Sequence, residues 1–486
     1  MRNLLFTILT VFSLTLLGQQ KRVLTIQECI EIAIENNLNV KGSQLNLETA
    51  KVNLTQAQAQ RLPTLNGNAS YGYNWGRSID PNTNLFVNQR INFNSVGFNG
   101  SLPLLQGFQV SNAIKQSDTD LTASELDLQR AKNDISLNVA SFYLTVILNK
   151  ELVENAQFQL ESSQQQLDQT KKLVASGALP IANELQLESQ VATNEVNLIN
   201  NQNSLDLSLL DLKQALLLPP GQEIDVVVPD VVVGESEIGD INPKEVYEYA
   251  VENQPEIMAA EARVQSSNLA LDVARGSLYP TLSLNGNLNT NYSDAVDQIF
   301  VPNGGPSTTV VRPSEDFIIA DNLGNPIAGQ QVFETFEVPS GDVEDYTVAN
   351  QWDDNLRYSV SLGVFVPILN GLNSRSNMQR AKINVQQSEL NAISERNVLY
   401  QTVENAYRSA LAASRTYTAS QKQVTSLEET YRAVENQYNN GAANFTDYQV
   451  AANNLFQAQS DLSRAKYDFI FRQKILDFYL GRPITF

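Results

Sequence analysis

The sequence predicts a mainly α-helical fold with a small β portion, in which a long α-helical coiled-coil barrel continues into a trimeric transmembrane β-barrel with four strands from each protomer. Three observations lead to this fold class. The chain contains one unit twice, each copy has a helical pattern far longer than a compact domain, and each copy has two strand patterns. Those strands run about ten residues, the length that crosses a bilayer when tilted.

The composition excludes most catalytic and nucleic-acid-binding classes. The 486 residues include no His and one Cys, so the sequence excludes a His-based metal site, a His-dependent triad and an internal disulfide. The net charge of −20 has the wrong sign for neutralising phosphates. We therefore predict no enzyme, no cofactor and no nucleic-acid partner, and the acidity fits either plain solubility or an anionic lumen that favours cationic solutes.

The N-terminus has the layout of a secretory signal. Arg2 precedes an apolar stretch at 4–17, and Gly18 follows it, so we predict a signal peptide at 1–18. The stretch is too short for a stable membrane span, and no later run is long and apolar enough to form one. A membrane role would therefore need β-strands.

Two gap-free registers reveal the internal repeat. Residues 28–63 match 245–280 at an offset of 217, and residues 103–219 match 367–483 at an offset of 264. Agreement over more than a hundred residues indicates a real duplication. The 47-residue difference predicts one insertion in the second copy, a longer extracellular loop near 293–350.

The repeat sets the predicted domain organisation. We expect a first structural repeat at 19–219, a β-prone linker at 220–241 that contains two runs of Val, and a second structural repeat at 242–486. Each repeat runs from a helix through a strand hairpin to a long helical hairpin.

Each repeat begins with a capped helix. Thr25 with Glu28, and Asn242 with Glu245, predict a cap to which the acid three residues later reaches back. The pattern predicts a helix over 26–61 in the first copy and over 243–275 in the second.

A long helical hairpin follows in each copy. Nothing breaks the helical pattern over 110–176, and apolar residues recur in it every seven residues, which predicts packing along its length as a coiled coil. Gly177 and Gly441 can each adopt the left-handed backbone that ends a helix, and a second heptad-bearing helix follows each of them. A generic coiled-coil rod would explain the heptads but not these turns.

The predicted strands alternate apolar and polar residues. They lie near 65–75, 96–102, 282–292 and 358–366. A soluble sandwich with one wet face would show the same alternation. Two features favour a membrane: aromatic residues stand at one end of the strands, as an interfacial belt requires, and prolines mark the helix–strand junctions. The belt residues are Trp75, Trp352, Tyr73 and Tyr292, and the junction residues are Pro63, Pro103, Pro280 and Pro367.

Four strands leave two open edges, which hydrocarbon does not tolerate. One chain or two would enclose little or no lumen, whereas three copies supply about twelve strands and room for an aqueous passage. The pattern therefore predicts a homotrimer.

This layout resembles the TolC-like outer-membrane efflux protein family over essentially the whole mature chain. The resemblance rests on the duplicated order of elements, on the two tip glycines and on three short motifs. The motifs are Pro-Leu-Leu-Gln-Gly at 103–107, Pro-Ile-Leu-Asn-Gly at 367–371 and Leu-Gly-Arg-Pro at 480–483. The resemblance implies a trimer in the outer membrane with a helical tunnel across the periplasm. It also implies docking to a periplasmic adaptor and an inner-membrane transporter.

The resemblance further implies a gate at the periplasmic tip. By position, Tyr438, Gly441 and Asp447 match the family pattern, whereas Asn183 replaces an acid, Ala443 a basic link and Val450 a second acidic ring. We hypothesise a Tyr438–Asn183 hydrogen bond that holds the tip, and an anionic constriction formed by Asp447 from three protomers.

The function predicted on these grounds is a passive exit duct of a tripartite efflux or type I secretion system, with iris-like opening at the tip. The alternative is a surface-anchored coiled-coil structural or adhesive protein, which would not need bilayer-length strands. Discrete conductance in a planar bilayer distinguishes the two.

Overall fold

The computed structural model describes residues 22–79, 85–88, 90–229, 238–320, 322 and 326–482. They form two compact units, each assembled from both halves of the chain. The described residues of Met1–Ala57, Ser111–Ala274 and Arg375–Phe486 form a helical unit, and those of Gln58–Val110 and Arg275–Ser374 form a strand unit. The predicted signal peptide at 1–18 lies outside the described residues.

The elements follow one another in the order helix, strand hairpin, helical hairpin, twice. In the first half they are β1 (Arg22–Leu24), α1 (Ile26–Asn36), α2 (Leu38–Ala59), β2 (Thr64–Asn74), β3 (Arg77–Ile79), β4 (Phe86–Asn88), β5 (Ile91–Gln106), α3 (Gln109–Ala175), α4 (Ile181–Ala215) and β6 (Ile224–Val226). In the second half, after a 3₁₀ turn at Ile238–Asp240, they are α5 (Pro243–Asn253), α6 (Pro255–Gly276), β7 (Thr281–Ser293), β8 (Gln298–Pro302), β9 (Thr308–Ala320), β10 (Pro326–Val338), β11 (Gly341–Asp345), α7 (Val348–Asp354), β12 (Arg357–Phe365), α8 (Asn373–Asn439) and α9 (Phe445–Tyr479).

The first helix of each repeat is two helices, not the single one that the pattern predicted. Asn37 ends α1 in an extended conformation, and its side-chain oxygen accepts the backbone N–H of Asn39 at 2.8 Å and so caps α2. Gln254 is extended before Pro255, because proline disfavours a helical conformation in the residue that precedes it. The predicted caps are present: Thr25 and Glu28 form a reciprocal capping box, and Asn242 accepts a backbone N–H at the start of α5.

The predicted long helices are confirmed. The helices α3 and α8 each have 67 residues, and α4 and α9 each have 35. A 67-residue helix is about 100 Å long. The heptad positions are buried or half-buried along both long helices; they are Val139, Val146, Val153, Leu160, Leu167 and Val174 on α3, and Val403, Ala410, Tyr417, Val424, Tyr431 and Tyr438 on α8. None of the helices in the described ranges has the length and apolar character needed to cross a membrane.

The helical unit also contains a small β pair, of which the sequence predicted the β-prone linker at 220–241 but not the strand that pairs with it. Strands β1 and β6 pair in parallel, with Leu24 opposite Val226, although about two hundred residues separate them. The buried Tyr143 hydroxyl donates to the carbonyl oxygens of Leu24 and Val227, at 3.2 and 2.7 Å. Lys150 on the same helix lies 2.5 Å from the Asp225 carboxylate. These contacts fix β1 and the segment around β6 against α3.

The strand unit is built on one antiparallel sheet in the order β12-β7-β5-β2. The hairpins β2–β5 and β7–β12 are those that the alternation predicted, and β5 joins β7 in the middle of the sheet. Within this sheet β2 and β12 are therefore the edge strands.

The insertion in the second copy is not the plain loop that its polar composition predicted. Strands β8 and β11 pair with each other, β9 pairs with β10, and the short helix α7 leads into β12. Gln351 of α7 is fully buried and bonds to the backbone of Ser293, Val296 and Tyr346. This side chain holds the base of the insertion against the end of β7.

Candidate functional site

Both helical hairpins turn at a left-handed glycine, as predicted. Gly177 has φ of 76° and Gly441 has φ of 73°. After α3 the N–H of Gly177 bonds to the Val174 carbonyl and the N–H of Ala178 to the Leu173 carbonyl; the α8 turn repeats this pair of bonds. Such Schellman turns satisfy the last carbonyls of a helix, and glycine adopts the required conformation without steric strain.

Asp447 stands in the first turn of α9 with its side chain exposed. Its backbone N–H donates to the side-chain oxygen of Asn444, the N-cap residue, at 2.9 Å. The N-terminal end of a helix dipole favours a carboxylate in this turn. The structure thus presents a free acidic group just after the α8–α9 turn.

Tyr438 packs within its own hairpin. Its ring centroid lies 5.1 Å from that of Tyr448 and 6.0 Å from that of Phe445. Burial raises the pKa of the Tyr438 hydroxyl above its usual range, so this group remains a hydrogen-bond donor at neutral pH.

Asn183 lies half-buried in the first turn of α4, and its backbone N–H donates to the Pro180 carbonyl at 3.1 Å. Among the described residues of one chain, no hydrogen bond joins its side chain to Tyr438. The hypothesised Tyr438–Asn183 bond stays a prediction.

A tyrosine pair ties α8 to α9, and the sequence reasoning missed it. The hydroxyls of Tyr431 and Tyr448 lie 2.8 Å apart, and Tyr431 donates to Glu435 at 3.1 Å. Because a hydroxyl has one proton, Tyr448 donates to Tyr431. Burial, and then the bond to Tyr448, raises the Tyr431 pKa. The heptad pattern placed Tyr431 in the core, but nothing in that pattern identified its partner.

A polar chain crosses the same region and joins α9, α4 and α3. Gln449 donates to Gln190 at 2.8 Å, Gln190 donates to Asn194 at 2.9 Å, and Asn194 donates to Ser163 at 2.9 Å. Asn194 and Ser163 are buried, so their mutual bond satisfies groups that have lost contact with water. In the sequence these residues are four among many Gln, Asn and Ser residues, and nothing there predicted that they bond to one another.

The sheet of the strand unit has one apolar face that is open to its surroundings. Facing residues in the four strands include Leu65, Phe98, Leu284, Leu288, Tyr358, Val360 and Leu362, whose exposed fractions range from 37% to 82%. An exposed apolar surface of this extent marks contact with lipid or with another protein.

The four predicted belt aromatics lie at one end of this face. Tyr73 and Trp75 have ring centroids 5.9 Å apart beside β2, and Tyr292 stands near the end of β7. Trp352 is in α7, not at the end of a strand as the alternation had suggested, and its indole N–H donates to Asn94 at 2.8 Å. Asn94 faces Tyr292 across the β5–β7 pair.

The predicted junction prolines take two kinds of position. Pro63 and Pro280 directly precede β2 and β7, and Pro367 follows the end of β12. Pro103 lies inside β5 instead, where the β5–β7 register shifts between Pro103 and Leu105. Proline has no N–H for the ladder, and a bulge accommodates this loss.

The glycines that end the motifs at 103–107 and 367–371 also lie in turns. Gly107 and Gly371 have φ of 54° and 61°, and the residue after each has a positive φ as well. A Cβ on Gly107 would collide with the Gly276 carbonyl. The equal backbone at positions 264 residues apart agrees with the second register of the duplication.

Within the described ranges, no group of three or more Cys, Asp and Glu side chains is placed to hold a metal ion. The single Cys29 is buried, and its burial raises the pKa of the thiol to about 12. A thiol in that state is a poor nucleophile.

Comparisons with known proteins agree with this architecture. Nodulation protein T of Rhizobium leguminosarum bv. trifolii is 21% identical over 93% of this chain and 84% of its own length. The cation efflux system protein CusC of Escherichia coli K12 is 22% identical over 91% of this chain and 83% of its own length. The crystal structure of the outer membrane protein VceC from Vibrio cholerae superimposes with a TM-score of 0.71 at 15% identity, covering 95% of this chain and 97% of VceC.

The sequence profile of one family covers both repeats. It matches residues 29–216 and 343–482, which is more than half of the chain. These two segments contain the long helices, the turns at Gly177 and Gly441, and the last strand of the sheet. The chain therefore belongs to the outer membrane efflux protein family.

Proposed function

We propose that three copies of this chain complete a closed barrel around an aqueous passage, and that the helical hairpins gate its periplasmic end. The chain is an outer-membrane export channel and not an enzyme, in keeping with its family. Family members are trimers that work with adaptors and inner-membrane pumps. For this chain we propose the same trimer, a gate at its helical hairpins, and an adaptor and inner-membrane transporter as partners.

The exposed apolar face of the sheet is the observation that carries the proposal. In water, side chains such as Tyr358, Val360 and Leu362 would leave a large apolar patch uncovered, at 82%, 76% and 61% exposure. The same sheet ends in the edge strands β2 and β12, whose outer backbone groups need partners in hydrocarbon. Further copies of the sheet provide these partners, and lipid covers the apolar face.

A trimer is the assembly whose strand number best fits a barrel with a water-filled interior. Four strands per chain make about twelve strands in a trimer, enough to leave a water-filled interior, whereas about eight strands are filled by side chains. The 67-residue helices match a passage that continues far beyond a membrane. We infer that three helical units line the periplasmic part of that passage.

The gate is proposed to lie at the α3–α4 and α8–α9 turns, which contain Gly177 and Gly441. Asp447 is exposed beside the second turn, so three copies would bring three carboxylates to one ring. Negative charges grouped in a narrow passage attract cations and repel anions. Adaptor docking would separate the helix ends, and an inner-membrane transporter would supply the energy.

The repeat boundaries and the signal peptide belong to the same proposal. We infer cleavage near Gly18, a first repeat to residue 219 and a second from residue 242. The insertion of β8–β11 would then face the exterior of the cell.

Planar-bilayer recording of the purified trimer tests both parts of the proposal. We expect discrete channels with a preference for cations, and we expect Asp447→Ala to reduce that preference, measured as a shift in reversal potential under a salt gradient. Thr446→Ala is the matched control, because this exposed neighbour has no charge. No discrete conductance would remove the channel assignment, and an unchanged reversal potential in Asp447→Ala would remove only the carboxylate ring.

A further inference from the structure

The second face of the sheet is lined almost entirely by uncharged side chains, and the one charged residue on it within the four strands is Arg357, opposite Asn289. Along β7 every side chain on this face is Thr, Asn or Ser, at positions Thr281, Ser283, Asn285, Asn287, Asn289, Asn291 and Ser293. Residues directly opposite one another in the ladder share a face, and Asn287 lies opposite Asn99 on β5 and Ser359 on β12. Polar uncharged residues thus continue across the strands. Apolar side chains lie at the two ends of the face, with Ile91 and Phe93 at one end and Pro103 and Phe365 at the other.

The amides and hydroxyls of this face bond to one another across the strands. Ser70 and Ser95 have hydroxyls 2.8 Å apart, and Asn99 donates to Asn68 at 3.1 Å. Ser101 donates to Asn285 at 2.9 Å. Each bond joins two neutral groups, so these side chains supply dipoles and hydrogen-bonding capacity without net charge.

Charge is excluded from the four strands almost completely. Arg357, the first residue of β12, is the only charged residue in β2, β5, β7 and β12. The whole chain is 18% charged with a net charge of −20, so the acidity lies elsewhere. Ser361 stands four residues beyond Arg357, about 13 Å along the strand. That separation exceeds the Debye length of about 8 Å at physiological salt.

We propose that the strand section of the passage is a charge-neutral segment, lined by Asn and Ser, that admits hydrated solutes of either charge sign without selecting between them. The inference rests on the proposed function, because the polar face lines the passage only if lipid covers the apolar face. It places selection by charge in the helical unit. The residues that define the neutral segment are Asn99, Ser101, Asn285, Asn287 and Ser361.

Cysteine labelling measures the local field directly. Ser361→Cys is nearly isosteric, its side chain is exposed on the polar face, and the native Cys29 is buried and contributes no background. The trimer in lipid bilayers is treated with an anionic reagent, sulfonatoethyl methanethiosulfonate, or a cationic one, trimethylammonioethyl methanethiosulfonate. Each rate is divided by the rate of the same reagent with free mercaptoethanol.

The two normalised rates should agree within about threefold at Ser361→Cys, since a field of several kT would separate them by tenfold or more. Asn285→Asp in the Ser361→Cys background is the positive control, because position 285 lies directly opposite position 361. In that double variant the normalised rate of the cationic reagent should exceed that of the anionic reagent by about tenfold. A tenfold difference in Ser361→Cys alone, or no reaction with either reagent, would overturn the neutral segment.

The neighbouring position separates this inference from the proposed function. Val360 points to the apolar face, so Val360→Cys should react with neither charged reagent while the protein is in a bilayer. Rapid reaction there would refute the lipid-facing assignment itself, and with it the channel. Ser70→Cys on β2 gives an independent measurement on the polar face, with equal rates again expected if Ser361→Cys does not assemble.

Discussion

Removing the ring of Tyr448 should loosen the α8–α9 turn more than any other single change at that turn. Tyr448 is 6% exposed, its ring contacts Tyr431 and Tyr438 at centroid distances of 5.6 and 5.1 Å, and its hydroxyl bonds to Tyr431. Truncating a buried aromatic to Ala costs about 3–5 kcal/mol. Tyr448→Phe removes one hydroxyl bond, worth about 1 kcal/mol.

Native-state hydrogen exchange, read by mass spectrometry on peptides that span 438–450, converts these energies into rates. Each factor of ten in the opening equilibrium corresponds to about 1.4 kcal/mol. We therefore expect exchange in Tyr448→Ala to accelerate by about a hundredfold or more, and in Tyr448→Phe by about fivefold. These are local openings of one turn, well below the cost of unfolding the whole helical unit.

Glu428→Ala is the matched control, since Glu428 is exposed on the same long helix. Exposed substitutions of this kind change stability by about 0.5 kcal/mol or less. If Tyr448→Ala exchanged no faster than Glu428→Ala, the tyrosine contacts would not stabilise the turn. If Tyr448→Phe matched Tyr448→Ala, the hydroxyl pair would dominate over the ring packing.

Two further predictions concern buried groups away from the turn. Because burial raises the Cys29 pKa to about 12, the folded thiol should react very slowly with Ellman's reagent at pH 8 and fully after denaturation. An unfolded thiol ionises near pH 8.5, so this residue's contribution to stability should fall from there up to pH 12. Gln351→Leu should make the insertion susceptible to limited proteolysis between 294 and 356, because four hydrogen bonds to the backbone are lost.

Each of these has a direct control. Ser361→Cys provides an exposed thiol whose prompt reaction shows that the reagent is active, and a fast Cys29 reaction in folded protein would contradict the burial argument. Asn350→Ala, at an exposed position of the same short helix, should leave the proteolysis pattern unchanged. Equal cleavage in Gln351→Leu and Asn350→Ala would show that Gln351 does not hold the insertion.

The elements that the sequence predicted well are those with a long, regular period. Sixty-seven residues of heptad pattern, or a strand such as β7 with alternating Leu and Asn, repeat the same information many times. One misleading residue changes little in such a segment. The break at Gln254 was different, because one proline at 255 opposed a helical pattern on both sides. That signal was present and was outweighed by the period.

Other features depend on partners that are distant in sequence. A three-residue strand such as β6 has no period to detect, and its pairing with β1 depends on the core around Tyr143. The Tyr431–Tyr448 pair likewise needs the turn geometry before two tyrosines seventeen residues apart become neighbours. For this reason the sequence could locate the turns and the acid beside them, but could not show which side chains hold them.

The duplication explains why the two turns differ although their backbones agree. At the offset of 264, Tyr431 and Tyr448 correspond to Leu167 and Glu184, so the first hairpin has no equivalent hydroxyl pair. The same register aligns the N-cap Asn444 with Pro180, which forms no side-chain cap.

The buried Phe445 likewise corresponds to Ile181, whose side chain is 59% exposed. The second turn is therefore stabilised by side-chain contacts that the first turn lacks. The one carboxylate that we assign to the gate, Asp447, belongs to this second turn, while the corresponding position of the first turn is the neutral Asn183. A ring of charge discriminates between ions only if its members remain at a fixed separation. The second hairpin thus combines the exposed Asp447 with the side-chain contacts that hold its turn, whereas the first hairpin has Glu184 in the equivalent turn without those contacts.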